Sequence, residues 1–200
     1  TFALYGQNVS HPITTAWTGT PNASASTLSQ DGSVVASQLF PNPKFVVDGW
    51  GFDSTNGSFT PTMHGDGSFT VATVPTSGWG DGSFTFTGLQ AGAKYHVTVT
   101  LPGGLSMTDG LAFRVTSTND YWGSSPGAVL ANVGYDGKGG VYSCDFTAVG
   151  TSAWLWFETP TSPPDAVYSH VGVYAASDWA AMQALGVNWF SGDEYGKVSQ

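Results

Sequence analysis

Cysteine is almost absent from this chain: Cys144 is the single one among 200 residues. One cysteine cannot form a disulfide within the chain, and it cannot supply the several thiolates of a structural zinc site. Basic residues are also scarce, with five lysines and arginines against fourteen acidic residues and a formal net charge of −9. Because proteins bind duplex nucleic acids by neutralising phosphates with Lys and Arg, nucleic acid and anionic membranes are poor partners, whereas neutral ligands stay open.

Long apolar segments are missing as well. No apolar run approaches the ~20 residues that a membrane-spanning helix needs, so we expect no membrane insertion. No signal peptide is visible, and the chain starts at Thr1, so we expect a fragment of a longer protein. Charged residues make up only 10% of the chain, but aromatic residues reach 14%. Disordered chains lack aromatic residues, so this composition predicts a folded domain.

Apolar and polar residues alternate with a period of two along most of the sequence, which indicates β-strands. Gly, Asp and Pro separate the alternating runs, a spacing typical of an antiparallel sandwich or barrel. The predicted strands are 68–74, 83–89, 94–101, 111–117, 140–148, 153–158 and 166–175. A local repeat, NGSFT at 56–60 and DGSFT at 66–70 and 81–85, predicts a tight hairpin turn at each Asn-Gly or Asp-Gly pair.

One segment departs from the strand pattern. SDWAAMQALG, residues 177–186, predicts a short helix that Ser177 caps and Gly186 ends. The ends of the chain show little alternation. We therefore predict an N-terminal connector or the end of a preceding unit at 1–33, a sandwich module at 34–176, and a helix with the start of a following unit at 177–200. Either the two ends pair with each other, or they contact neighbouring modules of a larger chain.

Three loops between the predicted strands place aromatic residues beside short polar ones. A sugar ring offers an apolar face, which an aromatic ring covers, and an edge of hydroxyl groups, which polar side chains bind. STNDYWGSSPG (117–127), TSGWGDGS (76–83) and NVGYDGKGG (132–140) have this composition. The candidate ligand-binding residues are Tyr121 and Trp122 as platforms, Asn119 and Asp120 as hydrogen-bonding groups, Trp79 with Asp81, and Tyr135. The alternative for each aromatic residue is packing as a lid on the sandwich.

The run 153–158 offers another candidate surface. Trp154 and Trp156 share one face of this strand, and Leu155 and Phe157 share the other. One pair must face outward or into an interface. If the tryptophans face outward, the sheet face itself becomes a candidate glycan groove.

The sequence shows no catalytic constellation. Glycoside hydrolysis usually needs two carboxylates across a cleft, but most aspartates lie beside Gly in predicted turns, and Glu158, at a strand end, has no assignable partner. The motif Gly-x-Ser-x-Gly is missing, and Cys144 alternates with Tyr142 and Phe146, which predicts a core position. We therefore expect no enzymatic activity.

Several segments resemble a known family. LFPNPKFVVDGWG (39–51) resembles the opening of jelly-roll carbohydrate-binding modules found beside xylanases and cellulases, of the family 4 and family 9 kind. LQAGAKYHVTVTL (89–101) resembles a middle strand of these modules, and VYSHVGVYA (167–175) their closing strand. The resemblance implies a jelly-roll β-sandwich over 34–176 that binds a polysaccharide or oligosaccharide.

The flanks resemble segments beside such modules in phage tail and baseplate proteins: WTGTPNAS at 17–24 and WFSGD at 189–193. This resemblance implies a host-adhesion module, extracellular or in a virion, that binds cell-surface or cell-wall polysaccharide. The alternative is a structural spacer or oligomerisation module of a tail fibre or extracellular protein.

The family's closing strand often carries an Asp that helps to bind a structural calcium. Here Ser169 and His170 occupy that place. Asn42 and Asp48 offer oxygens near the first strand, but calcium takes about six to eight ligands. We expect no cofactor, and a structural calcium remains an open alternative.

Overall fold

The alternating runs of the sequence form the strands of a β-sandwich. The computed structural model describes residues 11–74 and 78–197. In chain order the elements are β1 (Ile13–Trp17), β2 (Ser26–Gln30), β3 (Ser33–Gln38), β4 (Ser54–Gly57), β5 (Pro61–Met63), β6 (Ser68–Val71), β7 (Gly80–Thr87), β8 (Lys94–Leu101), β9 (Ser106–Met107), β10 (Leu111–Thr116), β11 (Val129–Gly134), β12 (Gly140–Thr147), β13 (Ser152–Glu158), β14 (Pro160–Ser162), β15 (Ala166–Ala175), α1 (Ala176–Ala184), β16 (Val187–Phe190) and β17 (Tyr195–Lys197).

Two five-stranded antiparallel sheets form the sandwich. Sheet I has the strand order β11-β10-β13-β7-β4, and sheet II has the order β12-β8-β15-β6-β5. The chain crosses repeatedly from one sheet to the other, which is the jelly-roll arrangement. The predicted fold class, an antiparallel β-sandwich with one short C-terminal helix, is confirmed.

The main core lies between the two sheets and is rich in phenylalanine. Phe84 of β7 and Phe157 of β13 point inward from sheet I, and Phe69 of β6 meets them from sheet II. The rings of Phe69 and Phe157 pack edge to face, with their centroids 5.0 Å apart. Burial of each side chain of this size stabilises the folded state by roughly 1.5–3 kcal/mol. The core therefore supplies stability that the few charged residues cannot.

One of the three predicted Asn-Gly and Asp-Gly turns is a hairpin turn, and the other two predictions are wrong. Asp66-Gly67 lies between the paired strands β5 and β6, and Gly67 has a positive φ of 90°. Gly57 has a positive φ of 60°, but Asn56-Gly57 lies inside β4, which pairs with β7. Asp81 and Gly82 likewise lie inside β7. The physical reason is packing: a Cβ atom on Gly82 would lie 2.3 Å from the ring of Phe59, so this glycine makes room for an aromatic ring.

Within the described residues, the segments near the two ends of the chain pack together. Strands β1, β2 and β3 form a three-stranded antiparallel sheet, and β16 pairs with β17. A second hydrophobic cluster joins these ends to the tip of β15; its buried members are Leu28, Ala36, Tyr174, Met182, Val187 and Phe190. The buried amide of Gln38 reinforces it, because its Nε2 donates to the Tyr174 hydroxyl at 3.0 Å and its Oε1 accepts from the Val173 amide at 2.7 Å. The predicted domain boundaries stay a prediction.

The predicted helix is present as α1, but its start differs from the prediction. Ser177 lies within the first turn and makes no capping hydrogen bond. Asp178 of the same turn accepts a hydrogen bond from the Ser37 amide at 2.9 Å, which ties α1 to β3. Within residues 11–74 and 78–197, no helix has the length and apolar character of a membrane span.

Candidate ligand-binding site

The outer face of sheet I carries the polar and aromatic residues of β13. Leu155 and Phe157 point into the main core, so the alternate residues Trp154, Trp156 and Glu158 point away from it. In the antiparallel register with β7, Trp156 lies opposite Ser83 and Glu158 lies opposite Asp81. The outward pair of the 153–158 run is therefore the tryptophan pair.

The segment 117–128 folds over this outer face and buries part of it. The Tyr121 ring packs edge-on against Trp156, with centroids 5.7 Å apart. Arg114 of β10 fastens the segment, because its Nη1 donates to the Tyr121 carbonyl at 2.6 Å and its guanidinium lies 4.2 Å from the centre of the Tyr121 ring. Trp156 is buried as a result, and its Nε1 donates to Thr116 Oγ1 at 2.8 Å. The sheet face around Trp156 is thus a covered surface and does not form an open groove.

A cavity of about 240 Å³ opens beside this covered surface. We call it the acidic cavity. It is lined by Trp79, Gly80, Asp81, Thr108, Asp109, Tyr121, Trp122 and Glu158. These residues come from four separate stretches: the start of β7, the turn before β10, the 117–128 segment and the end of β13.

Two tryptophans of the acidic cavity are exposed to solvent. Trp79 is 49% exposed and Trp122 is 65% exposed. Asp120 holds the backbone around Trp122, since its two carboxylate oxygens accept from the amides of Trp122 at 3.0 Å and Ser124 at 2.7 Å. These hydrogen bonds, led by the one from Ser124, lower the pKa of Asp120. The indole of Trp122 therefore stands on a turn that an ionised aspartate stabilises.

Two of the three carboxyl groups of the acidic cavity are buried. Asp81 is 3% exposed and accepts from Asn56 Nδ2 at 2.8 Å. Glu158 is 1% exposed; its Oε1 contacts the Tyr121 hydroxyl, and its Oε2 accepts from the Asp109 amide at 3.0 Å. Burial raises the pKa of Glu158 to about 7, and burial likewise raises the pKa of Asp81. The cavity wall thus places acidic groups in a poorly solvated environment.

The hydroxyl of Tyr121 bridges two of these carboxyl groups. It lies 2.7 Å from Asp109 Oδ2 and closer still to Glu158 Oε1. A phenol has one proton, so it can donate to only one of the two at a time. A proton on Glu158 completes the pattern: Glu158 donates to Tyr121, and Tyr121 donates to Asp109. The raised pKa of Glu158 makes this second proton available near neutral pH.

The predicted site residues divide into three groups. Trp79, Asp81, Tyr121 and Trp122 all line the acidic cavity. Tyr121, expected as an open platform, is buried, so it contributes to the cavity wall and to the contact with Glu158. Asp120 supports Trp122 from the same turn.

Asn119 and Tyr135 lie outside the cavity lining. Asn119 bridges strands on the outer face, where its Nδ2 donates to Ser54 Oγ at 2.8 Å and its Oδ1 accepts from Ser83 Oγ at 3.1 Å. The Tyr135 hydroxyl donates to the Pro102 carbonyl at 2.7 Å and accepts from the Leu105 amide at 3.1 Å, so it joins two backbone segments.

The sequence reasoning missed Thr108, Asp109 and Glu158 as members of one site. The alternation of the 153–158 run contains the signal for Glu158, because it puts this residue on the same face as Trp156. Asp109 has no such signal, since it lies in the turn before β10 and reaches the cavity through tertiary structure.

The residues considered for calcium do not fit a calcium site. Asn42 is buried and folds the loop after β3: its Oδ1 accepts from the Val46 amide at 3.0 Å, and its Nδ2 donates to the carbonyls of Val46 and Trp50 at 3.0 Å each. Asp48 is exposed. Within the described part of the chain, no group of three or more His, Cys, Asp and Glu residues is placed to hold a metal ion. Cys144 packs against the main core, and burial raises the pKa of its thiol to about 12.

No protein-family profile and no curated protein sequence matches the chain. Among solved structures, the enzymatically active domain of bacteriophage CBA120 tailspike protein 4 aligns over 66% of this chain and 20% of its own, with 11% identity and a TM-score of 0.45. The CBM22-1 xylan-binding domain of Paenibacillus barcinonensis Xyn10C aligns over 70% of this chain and 93% of its own, with 16% identity and a TM-score of 0.39. The CBM22-1-GH10 modules of Clostridium thermocellum xylanase 10B, complexed with xylohexaose, align over 61% and 24%, with 15% identity and a TM-score of 0.32. The chain thus spans about a fifth of the tailspike chain and about a quarter of the xylanase chain.

Proposed function

We propose that this chain binds a polysaccharide or oligosaccharide without cleaving it, and that the acidic cavity is the binding site. The observation that carries the proposal is the exposure of Trp79 and Trp122 on one cavity whose wall also carries hydrogen-bonding carboxyl groups. Indole rings cover the C–H face of a sugar, and carboxylates accept hydrogen bonds from its hydroxyl groups.

The size of the cavity limits what enters it. Its volume of about 240 Å³ lies below the roughly 300–1,000 Å³ of pockets that enclose drug-sized ligands. We therefore propose that one sugar unit, at a chain end or on a side branch, enters the cavity. The rest of the glycan lies outside, along the exposed tryptophans.

The biological setting of the proposal is adhesion. The resemblance of residues 17–24 and 189–193 to segments of phage tail proteins supports a host-adhesion module of a tail protein, located in a virion or otherwise outside the cell. Its target would be a cell-surface or cell-wall polysaccharide.

The test is binding of the purified protein to bacterial cells and to a panel of cell-wall and capsular polysaccharides. Trp122→Ala should weaken binding by at least about tenfold, the equivalent of one stacking contact of about 1.4 kcal/mol. Trp50→Ala is the matched control, because Trp50 is also exposed, at 43%, and does not line the cavity. The proposal would be refuted if wild-type protein bound no glycan in the panel. Equal losses of affinity in both variants would show that the binding site lies elsewhere on the protein.

The spacer alternative requires a different kind of exposed surface. An oligomer contact needs one broad apolar patch of several hundred Å². The exposed large apolar side chains outside the cavity are spread over several elements: Val34, Val47, Trp50, Val141, Val149 and Val167. A stable oligomer in solution whose formation depends on these side chains would favour the spacer over glycan binding.

The contact of Asp109 and Glu158 with one hydroxyl favours a second candidate, glycosidic bond hydrolysis. A glutamate with a pKa of about 7 has the protonation state of a general acid, and Asp109 is a second carboxylate. Binding is the stronger proposal because both oxygens of Glu158 contact protein groups and the side chain is buried. Release of reducing ends from a bound glycan, lost in Glu158→Gln, would establish hydrolysis instead.

A further inference from the structure

Of the residues that the structure describes, three with carboxyl groups and no lysine or arginine belong to the lining of the acidic cavity. Resting on the proposed function, we propose that the sugar unit that enters the cavity carries a free, protonated amino group. The ligand class is then a glycan with non-acetylated amino sugars.

The first support is the balance of charges around the cavity. Asp81, Asp109 and Glu158 all line it, and Arg114 is the nearby cation that acts on Asp81. Arg114 already contacts the Tyr121 ring and carbonyl and Asn132 Oδ1. The pKa of Asp81 nevertheless stays raised, because burial and the charge of Asp109 outweigh the opposing contributions of Asn56 and Arg114. A ligand cation beside Asp81 would oppose both of these effects and stabilise the ionised form of its carboxyl group.

The second support is the state of Asp81 itself. Its side chain is almost completely buried, yet it lines the cavity. Its Oδ1 accepts from Asn56, and among the described residues no donor reaches its other oxygen. This oxygen is not enclosed by protein and is open to the cavity, where an ammonium group is the strongest donor that a sugar can offer it.

The third support comes from the two exposed tryptophans. An indole ring attracts a cation over its face more strongly than phenylalanine or tyrosine does. The site already contains this chemistry, since the Arg114 guanidinium lies 4.2 Å from the centre of the Tyr121 ring and 6.0 Å from that of Trp122. An ammonium group between Asp81 and the faces of Trp79 or Trp122 would combine charge pairing with a cation–π contact. An N-acetyl group would remove both interactions, because it is neutral.

Three β-1,4-linked hexasaccharides that differ only at the 2-position provide the test: hexaglucosamine, its fully N-acetylated form and cellohexaose. Binding is measured by calorimetry in mildly acidic buffer, where the sugar amines are protonated. We expect hexaglucosamine to bind at least about tenfold more tightly than either neutral oligosaccharide. Because the protein has a net charge of −9, general attraction of a polycation must be separated from site binding.

Asp81→Asn and Asp31→Asn make that separation, since each removes one negative charge. Asp31 is exposed in the β2–β3 turn, has a positive φ that Asn tolerates, and does not line the cavity. Asp81→Asn should weaken hexaglucosamine binding about tenfold, and Asp31→Asn should leave it within about twofold. Equal effects of the two substitutions, or equal binding of all three hexasaccharides, would overturn the inference.

The polysaccharide panel keeps this inference distinct from the proposed function. If a panel glycan binds in a Trp122-dependent manner, we then N-acetylate that glycan chemically. Loss of binding supports the amino-sugar inference, and unchanged binding overturns it while the proposed function stands. If neither the panel nor hexaglucosamine binds, the proposed function fails and the inference fails with it.

Discussion

The carboxyl group of Glu158 and the hydroxyl group of Tyr121 are in direct hydrogen-bond contact in the wall of the acidic cavity, and both side chains are buried. Each of the two groups also hydrogen-bonds to Asp109, through its carboxylate for Tyr121 and through its amide for Glu158. This pair links the stability of the fold to the protonation state of the site.

Stability should fall as Glu158 ionises. Its pKa is about 7 in the folded protein and 4.5 in its ordinary state. The folded form therefore binds this proton more tightly than the unfolded form does. The stabilisation of the folded state by Glu158 is fully present below pH 4.5 and is lost as the pH rises to about 7. The free energy of unfolding falls by about 3 kcal/mol over this range. Urea unfolding below and above this window measures it.

Glu158→Gln should remove this part of the pH dependence, because glutamine resembles the protonated acid. Glu194→Gln is the control, since Glu194 is a half-exposed partner of Lys44. The difference between the two variants isolates Glu158 from other titrating groups. Identical pH profiles for Glu158→Gln and wild type would show that Glu158 titrates normally.

Tyr121→Phe should destabilise the protein by about 1–3 kcal/mol, because it removes the hydroxyl group that is the hydrogen-bond partner of the buried carboxyl of Glu158. Tyr142→Phe removes a similar hydroxyl–carboxylate contact, but its partner Asp136 is exposed and can bind water. Denaturant unfolding of both variants at the same pH makes the comparison. If Tyr121→Phe lost no more stability than Tyr142→Phe, the buried contact would stabilise the fold no more than the exposed one does.

Asp120→Ala should weaken glycan binding although Asp120 does not line the cavity. The substitution removes the two acceptors that hold the amides of Trp122 and Ser124, so the indole must be ordered when the ligand binds. We expect a loss of roughly threefold to tenfold, the range associated with ordering one large side chain on binding. Asp120→Asn keeps one acceptor and should lie between alanine and wild type. Titration with the glycan identified in the panel provides the measurement, and an unchanged affinity for Asp120→Ala contradicts the prediction.

Gly82→Ala should destabilise the sandwich by about 1–3 kcal/mol, since the new methyl group overlaps the ring of Phe59. Gly150→Ala is its control: no atom lies within 4 Å of a Cβ at that position, and we expect a change within about 0.5 kcal/mol. Thermal unfolding of the two variants distinguishes packing from a general effect of replacing glycine. Equal stability would show that Phe59 moves aside at little cost.

The sandwich was predictable from the sequence because apolar residues alternate along its strands, and one face of the strands points into the main core. Each of the seven predicted strands corresponds to a strand of sheet I or sheet II. The strands β2 and β3 escaped prediction because STLSQ and SVVASQ are rich in serine and bury few large side chains. In β7 the pattern misled: Asp81-Gly82 has the composition of a turn, but tertiary packing against Phe59 places it in a strand.

The lining of the acidic cavity was predictable only in part. Local composition identified Trp79, Asp81, Tyr121 and Trp122, which the fold brings to one cavity. It could not reveal that Tyr121 is buried, since that depends on the path of the 117–128 segment over Trp156. The contact of Asp109 with Tyr121 likewise depends on that path and on the pairing of β10 with β13.

The acidic cavity has a consequence for anyone who wishes to move it to another protein. Its lining comes from four stretches that are far apart in the chain, and both buried carboxyl groups are held by neighbouring strands or turns. A peptide copied from the 117–128 segment would contain Trp122 but neither Asp81 nor Glu158. The unit that can be transplanted is therefore the whole of sheet I. The turn that carries Trp122 can be varied in place to change which ligands are selected.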